Sequence, residues 1–293
     1  MRKNNSISFI IPAYNCAKFL PDAINSIFDG NFTSGDEIII VDDASTDKTL
    51  KIAKKLQKKH PTIRIFQHHY NKGSAAAGRN TGIDNSKNEL IFCLDADNIL
   101  CPNSIPKLKQ FMISKKADAA AFGELHFFKK KITNVTHKWI YKQSITLDDC
   151  LNNTDKVPCA SGNYLFTRDS WLKAGRYNES SAIIAYDSWA FGFCQLATDS
   201  KMVTMPKSFY YHRCGYESTY VKEVEKINPS LTILQIILPF INLFDKRDID
   251  YIMSPKARSK WFVDLKNHPI RLSSKTSLFL KENLFKSLKI TKN

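Results

Sequence analysis

The sequence predicts an α/β fold: a mostly parallel sheet with helices on both faces, followed by a C-terminal helical extension. Three observations carry this. Strand and helix patterns alternate over the first hundred residues, the order of a parallel sheet built from right-handed crossovers. The strand candidates are continuous apolar runs, such as Phe9-Ile10-Ile11 and Ile38-Ile39-Ile40-Val41, so both of their faces are buried. Several of these runs stop at polar or acidic residues, most plainly at Leu94-Asp95-Ala96-Asp97-Asn98, where an open α/β sheet binds its ligands.

Residues 6–11 read as the first strand, ended by Pro12-Ala13-Tyr14-Asn15. Phe19, Leu20, Ala23, Ile24 and Ile27 then recur at helical spacing, with Pro21 in the first turn and Gly30 as the stop. Residues 36–41 are the second strand. In Asp42-Asp43-Ala44-Ser45-Thr46-Asp47, either Ser45 or Thr46 is the expected N-cap, and Asp47 sits in the first turn of a helix running to Lys59. Residues 63–66 form a third strand. Asn71-Lys72-Gly73-Ser74 is a turn, and an Ala-rich helix runs through Arg79. Residues 89–94 are the fourth strand. The alternation then weakens. Residues 102–115 read as a helix and 119–122 as a strand, 123–160 show no clear pattern, and segments become readable again from Cys159 to His212.

The expected division is a main domain over 1–220, with halves 1–100 and 101–220, and a distinct segment over 221–293. That last segment holds 14 Lys and Arg against 7 Asp and Glu. Its apolar stretch, Leu231, Leu234, Ile237, Leu238, Ile241 and Leu243, is followed by Lys246, Arg247, Lys256, Arg258, Lys260 and Lys266. Two readings stay open: a helix packed on the main domain with a solvated basic end, or a reversible contact with an anionic membrane surface.

The chain carries a net charge of +15, which favours an anionic partner such as a phosphorylated substrate, anionic lipid or nucleic acid. No helix-turn-helix, zinc or RNA-binding aromatic signature is present, so no nucleic-acid partner is expected. Seven cysteines are scattered without C-x-x-C spacing, the usage of a reduced intracellular compartment. The first apolar run is too short for a signal peptide, and no run reaches the ~18 apolar residues of a membrane span. The expected location is cytoplasmic, peripheral on the inner face of the cell membrane if the tail binds lipid.

Polar residues at three strand ends suit one ligand. Tyr14, after Pro12 and Ala13, is placed to stack on a base or to pack as core. Asp42 and Asp43 can accept hydrogen bonds from a base imide or ribose hydroxyls, although Asp43 also fits a helix-capping role. Asp95 and Asp97 suit a hard cation, Mg²⁺ or Mn²⁺, bridging two phosphates, and also fit a solvated acidic loop. Lys72 and Arg79 flank the Gly73-Ser74 turn that opens a helix, an anion-facing arrangement, and each also fits a solvated charge.

Taken in order, Ile10-Ile11-Pro12-Ala13-Tyr14-Asn15, Val41 through Asp47, Gly73 through Arg79-Asn80-Thr81-Gly82, and Leu94-Asp95-Ala96-Asp97 resemble a family 2 glycosyltransferase with the GT-A fold, a Rossmann-type architecture. The resemblance covers residues 6–215. It implies an inverting transferase that uses a nucleotide-sugar, a UDP-sugar for choice, and a divalent metal. It implies base contacts from Asp42 or Asp43, a ribose or metal-water contact from Asp95, and a metal bond from Asp97. Cys159-Ala160-Ser161-Gly162-Asn163 resembles the small-residue turn of the family's acceptor half, which implies acceptor contacts from Ser161, Gly162 and Asn163. The family's acidic pair opening a later helix is replaced by Tyr186-Asp187, leaving Asp187 as the candidate catalytic base.

The residues support Asp187 independently. Inverting transfer needs a base to deprotonate the acceptor hydroxyl, and a helix N-terminus keeps a carboxylate ionised. Helix capping is the alternative role. His212, after a late strand, is a candidate metal or phosphate ligand, with a structural role as the alternative. The acceptor expected from the resemblance is a glycan or lipid-linked glycan of surface polysaccharide biosynthesis. A nucleotidyltransferase is the rival enzyme reading, but it usually needs a Gly-rich phosphate loop near the first strand, and Pro12-Ala13-Tyr14-Asn15-Cys16 has no glycine. A basic nucleic-acid-binding protein is the rival without catalysis.

Overall fold

In the computed structural model, residues 5–152, 157–215, 232 and 235–243 are described. The first half is β1 (Ile7–Ala13), α1 (Leu20–Phe28), β2 (Glu37–Asp42), α2 (Thr49–Lys59), β3 (Ile63–Gln67), α3 (Ala75–Asp84) and β4 (Leu90–Cys93). The second is β5 (Ile99–Leu100), α4 (Ser104–Ser114), β6 (Ala119–Phe128), β7 (Val135–Ile140), β8 (Ser144–Ile145), α5 (Leu147–Asn152), α6 (Pro158–Ser161), β9 (Leu165–Thr167), α7 (Arg168–Lys173), a 3₁₀ segment Ser181–Tyr186, α8 (Asp187–Ala197) and β10 (Met202–Arg213), with a further 3₁₀ segment at Leu238–Leu243.

The strands join in one sheet in the order β3-β2-β1-β4-β9-β6-β10-β5, with β7 on β6 and β8 on β10. The pairs β3/β2, β2/β1, β1/β4 and β6/β10 are parallel. β9 lies antiparallel between β4 and β6, so β6 and β10 point the same way as β1. The carboxyl ends of β1, β2, β4, β6 and β10 therefore share one end of the sheet. β1, β2, β4 and β6 are wholly or almost wholly buried, because α1, α2 and α4 cover one face and α3, α6, α7 and α8 the other.

Several elements differ from the sequence expectation, each for a local reason. β1 continues through Pro12 and Ala13, which pair with Val41 and Asp42. The Ile10 carbonyl accepts the Leu94 N–H, after which β4 has ended. Pro12, two residues on, faces the same side, so its missing N–H interrupts no pairing. Neither Ser45 nor Thr46 caps α2: both are drawn to Asn15, and the Asp47 carboxylate accepts the Thr49 N–H at 2.8 Å instead. α3 runs on past Arg79 to Asp84. Within it Gly82 lies against β1, where a Cβ would meet Ile10 Cγ2 at 2.4 Å, and this close approach seats α3 on β1. β6 extends to Phe128 because β10 pairs with it along its length. His212 lies inside β10 rather than after it.

In the C-terminal segment, Ile236 and Ile237 are buried, and the Phe240 ring lies 5.7 Å from that of Phe193 on α8. The described part of the apolar stretch thus packs on the sheet's α8 side, while Lys246, Arg247, Lys256, Arg258, Lys260 and Lys266 lie outside the described residues. Among the described residues no helix is long and apolar enough to cross a membrane.

Candidate active site

At the carboxyl end of the sheet, the loops after β1 and β2 are stitched together. The Asn15 side chain accepts the N–H groups of Thr46 and Asp47, and the Asn15 N–H donates to Ser45 Oγ. Asn15 and Ala44 both hold left-handed backbone, at φ 47° and 55°, a strain that persists where surrounding bonds over-determine it. Tyr14 stands 45% exposed at the lip, a ring free for stacking. Asp42 is buried; its Oδ2 accepts the Ser45 N–H at 3.3 Å, and its Oδ1 has no hydrogen-bond partner among the described residues. Asp43 is committed within the chain. Its Oδ1 meets His68 Nδ1 at 2.6 Å and accepts the Lys72 N–H at 2.9 Å, while His68 Nε2 reaches Thr81 Oγ1. The carboxylate thereby fixes the turn that carries Lys72 and Gly73, the latter at φ +76°. The Lys72 ammonium itself lies over the Tyr70 ring.

α3 begins at Ser74, whose Oγ accepts the Ala76 N–H, and one turn later delivers Arg79 to the centre of the site. Arg79 is 3% exposed. Its Nη2 donates to Asp95 Oδ1 at 2.8 Å, and its Nη1 to Asp187 Oδ2 and Ser188 Oγ, each at 3.0 Å. Burial opposes the Arg79 charge, but Asp187 and Asp95 outweigh it and hold the guanidinium well above its usual range. Gly162, at φ +73°, leaves room for it: a Cβ there would meet Ser188 Oγ at 2.7 Å and Arg79 Nη2 at 3.0 Å. Asn163 grips Asp95 from the other side, accepting its N–H and donating to its Oδ2, both at 2.8 Å. Ser161 Oγ donates to the Pro158 carbonyl. The small-residue turn thus sits against Asp95 and Arg79, and both Asp95 oxygens are bound by protein groups.

Asp97 is different. Its carboxylate takes no hydrogen bond from another described residue, and its own carbonyl accepts from Arg213 Nε at 3.1 Å. Burial, then the charge of Asp95, push Asp97 up to about 7. The oxygens of such a carboxylate are chemically suited to a hard cation. Among the described residues no three metal-ligating side chains gather to hold an ion alone. His212 is nearby in the fold: Asn98 Nδ2 lies 3.3 Å from its Nδ1, and Phe127 covers the ring. Burial lowers its pKa, so it is neutral, the form that ligates.

Asp187 is the first residue of α8 and 8% exposed. Its Oδ1 accepts the Ser188 N–H at 2.6 Å, so it occupies the helix terminus and the site at once. The helix N-terminus was expected to keep this group ionised; burial instead raises its pKa, with Arg79 pulling the other way. His68, Ser188, Asn98 and Arg213 were not singled out from the sequence. Only Arg213 offered a signal, as a basic residue ending an aromatic strand.

Residues 8–174 match the family model described as glycosyl transferase family 2. Among curated proteins, the chain is similar to glycosyltransferase GlyG of Streptococcus pneumoniae, 37% identical over 112 residues, which is 38% of this chain and 36% of GlyG. It is also similar to the poly(ribitol-phosphate) beta-N-acetylglucosaminyltransferase TarS of Staphylococcus aureus, 29% identical over 120 residues, 41% of this chain and 19% of TarS. The crystal structure of TarS 1–349 in complex with UDP-GlcNAc superposes with a TM-score of 0.68 at 17% identity, covering 97% of this chain and 79% of that one. The mannosyltransferase PcManGT of Pyrobaculum calidifontis, in complex with GDP-Man and Mn²⁺, gives 0.57 at 14% identity, covering 97% and 82%. These likenesses establish the fold. The matches span less than two thirds of the length of the first curated relatives.

Proposed function

The chain belongs to glycosyl transferase family 2, and on that premise we propose that it is a metal-dependent inverting glycosyltransferase, moving a sugar from a UDP-sugar to a glycan or lipid-linked acceptor in surface polysaccharide biosynthesis. The observation that carries the reading is the chain of contacts Asp95–Arg79–Asp187. It ties the acidic strand end that faces a donor diphosphate to a buried carboxylate able to act as base.

In this reading residues 1–100 bind the donor and 101–220 present the acceptor. The Asp42 Oδ1 left without a donor suits the imide N–H of a uracil, and Tyr14 offers a face to the base. Asp43 acts by holding the turn of Lys72 and Gly73 in place. Asp97, with His212 as the second candidate, would hold Mn²⁺ or Mg²⁺, which supplies positive charge against the departing diphosphate. Asp187 takes the proton from the acceptor hydroxyl as that oxygen attacks the anomeric carbon opposite the leaving group, and a single displacement of this kind inverts the centre. A base raised by burial is better matched to this task near neutral pH than an ordinary carboxylate. Ser161, Gly162 and Asn163 shape the acceptor side by fixing Asp95 and clearing space for Arg79. The poly(ribitol-phosphate) substrate in the name of TarS and the UDP-GlcNAc in its complex support the polymer acceptor and the UDP donor. The Mn²⁺ in the PcManGT complex supports the metal.

The deciding experiment is a nucleotide-release assay over UDP-, GDP- and dTDP-sugars with and without Mn²⁺. Release of UDP that requires the metal is expected. Release of sugar 1-phosphate in place of the nucleoside diphosphate would point instead to nucleotidyl transfer.

A further inference from the structure

The β6–β7 hairpin carries a charge pattern that the donor site does not use. Between Glu124 and Asp148 the sequence holds Lys129, Lys130, Lys131, Lys138 and Lys142, with His126 and His137, and no acid. Lys142 is paired with Asp149. The other four lysines are exposed and make no ion pair among the described residues.

Topology puts this charge at the reacting end of the sheet. β6 runs parallel to β10 and ends at Phe128, and β7 returns antiparallel from Val135, paired with Phe128. The 129–134 turn therefore stands at the same end as Asp42, Asp95 and Asp97. Three contacts tie it to the metal loop. The Cys214 N–H donates to the Phe128 carbonyl, the Arg213 N–H to Asn98 Oδ1, and Arg213 Nε to the Asp97 carbonyl. The Lys129 stem lies over Gly215, where a Cβ would meet Lys129 Cγ at 3.0 Å.

The hairpin also offers ring faces. His137 stacks on Phe127 at 4.0 Å, Trp139 meets the same ring at 4.8 Å, and Phe127 in turn covers His212. Among the described residues β7 pairs with β6 alone, leaving an open edge. Clustered cations beside half-exposed aromatic rings match a chain that alternates negative charge with polyol or sugar.

We propose that the β6–β7 hairpin is an acceptor-binding track for a polyanionic, phosphodiester-linked glycan, which Lys129, Lys130, Lys131 and Lys138 lead to the site. The inference rests on the transferase reading above and adds the acceptor's class. A lipid headgroup surface is the competing source of phosphate. The position at the reacting end favours the polymer, because an acceptor must cross that end. The lysines of α2, at Lys51, Lys54, Lys55 and Lys58, lie on a helix beside β2 and β3, at the far side of the sheet from β6.

The test is a direct binding measurement that needs no turnover. A labelled synthetic poly(glycerol phosphate) oligomer and a neutral oligosaccharide of equal length are titrated with the full chain at several salt concentrations. The wild type should bind the phosphodiester oligomer at least tenfold more tightly, with affinity falling as salt rises. Changing the four hairpin lysines to Gln should remove that tenfold, changing them to Arg should retain it, and UDP affinity should persist in both. A charge-matched α2 control, with Lys51, Lys54, Lys55 and Lys58 changed to Gln, should bind as wild type. Equal binding of the two oligomers, an equal loss in the α2 control, or a hairpin variant that loses only binding to phosphatidylglycerol vesicles would overturn the proposal. Failure to release UDP from any UDP-sugar would sink the transferase reading while leaving the oligomer result standing.

Discussion

Arg79 Nη1 donates to Asp187 Oδ2 at 3.0 Å across 108 positions of sequence. The same guanidinium holds Asp95 at 2.8 Å. One buried cation therefore serves two carboxylates, and among the described residues no other cation pairs with either. Arg79→Lys keeps the charge but loses the planar fork. Turnover should drop on the order of 10²-fold through misplacement of both carboxylates. Arg79→Met should be worse, costing about 3–5 kcal/mol in stability by leaving the buried Asp187 and the half-buried Asp95 without their cation. Urea denaturation and steady-state turnover on both variants check this.

Asp187→Asn tests catalysis apart from binding. The amide keeps the size of the side chain and an oxygen for the Ser188 N–H. Turnover should fall by ~10²–10⁴ with UDP affinity unchanged, because only the base is lost. Since burial raises the Asp187 pKa, the wild-type rate should decline as pH falls through a value above the ordinary carboxylate range. The variant should lack that limb. A rate within a few-fold of wild type would move the role of base to another residue.

Metal binding should be pH-dependent through Asp97. With its pKa raised to about 7, the side chain carries a proton below that value and must release it to bind a cation. Mn²⁺ affinity in the presence of UDP should therefore weaken by about tenfold per pH unit below about 7 and level off above it. Calorimetry in two buffers should find a proton released at pH 6 and little at pH 8. Asp97→Asn, run as the reference for the titration of UDP itself, should leave only the share of the difference that UDP contributes.

Asp42 and Asp43 should separate as binding and support. Asp42→Ala removes the carboxylate whose Oδ1 has no partner among the described residues and should cost about 1.5–3 kcal/mol in UDP affinity, with a smaller loss of stability from the Ser45 N–H it leaves. Asp43→Ala also frees His68 and the Lys72 N–H, so both affinity and melting temperature should fall. His68→Ala should reproduce part of that melting loss. Calorimetry with UDP and thermal melts on the three variants distinguish the two roles.

Much of this was legible before any coordinates. Strands such as Ile38-Ile39-Ile40-Val41 announce burial by being apolar throughout, and Asp95-Ala96-Asp97 marks a strand end by its abrupt charge. The contacts that define the site were not legible. Asn163 touching Asp95 and Arg79 touching Asp187 depend on β9 being inserted antiparallel beside β4, and no local pattern states which strands become neighbours. β7 hid because its residues are half-exposed or exposed throughout, so it lacks the apolar run that marks a central strand. The role of Gly82 was not legible either, because no local pattern says that this glycine is where α3 meets Ile10.

The position of β10 has a consequence for synthesis. The strands β1 to β4 are parallel neighbours built from consecutive chain, and they can pair as they leave the ribosome. The rest of the sheet cannot be completed that way, because β6 gains its long partner only when residues 202–213 arrive. Arg79 is made early, meets Asp95 soon after, and waits for Asp187. A charge that must be buried with both partners in place thus makes the late half of the chain a condition for closing the early half. Such long sequence separations slow folding. A nascent chain stalled before Asp187 would present an incomplete sheet to whatever chaperones attend it.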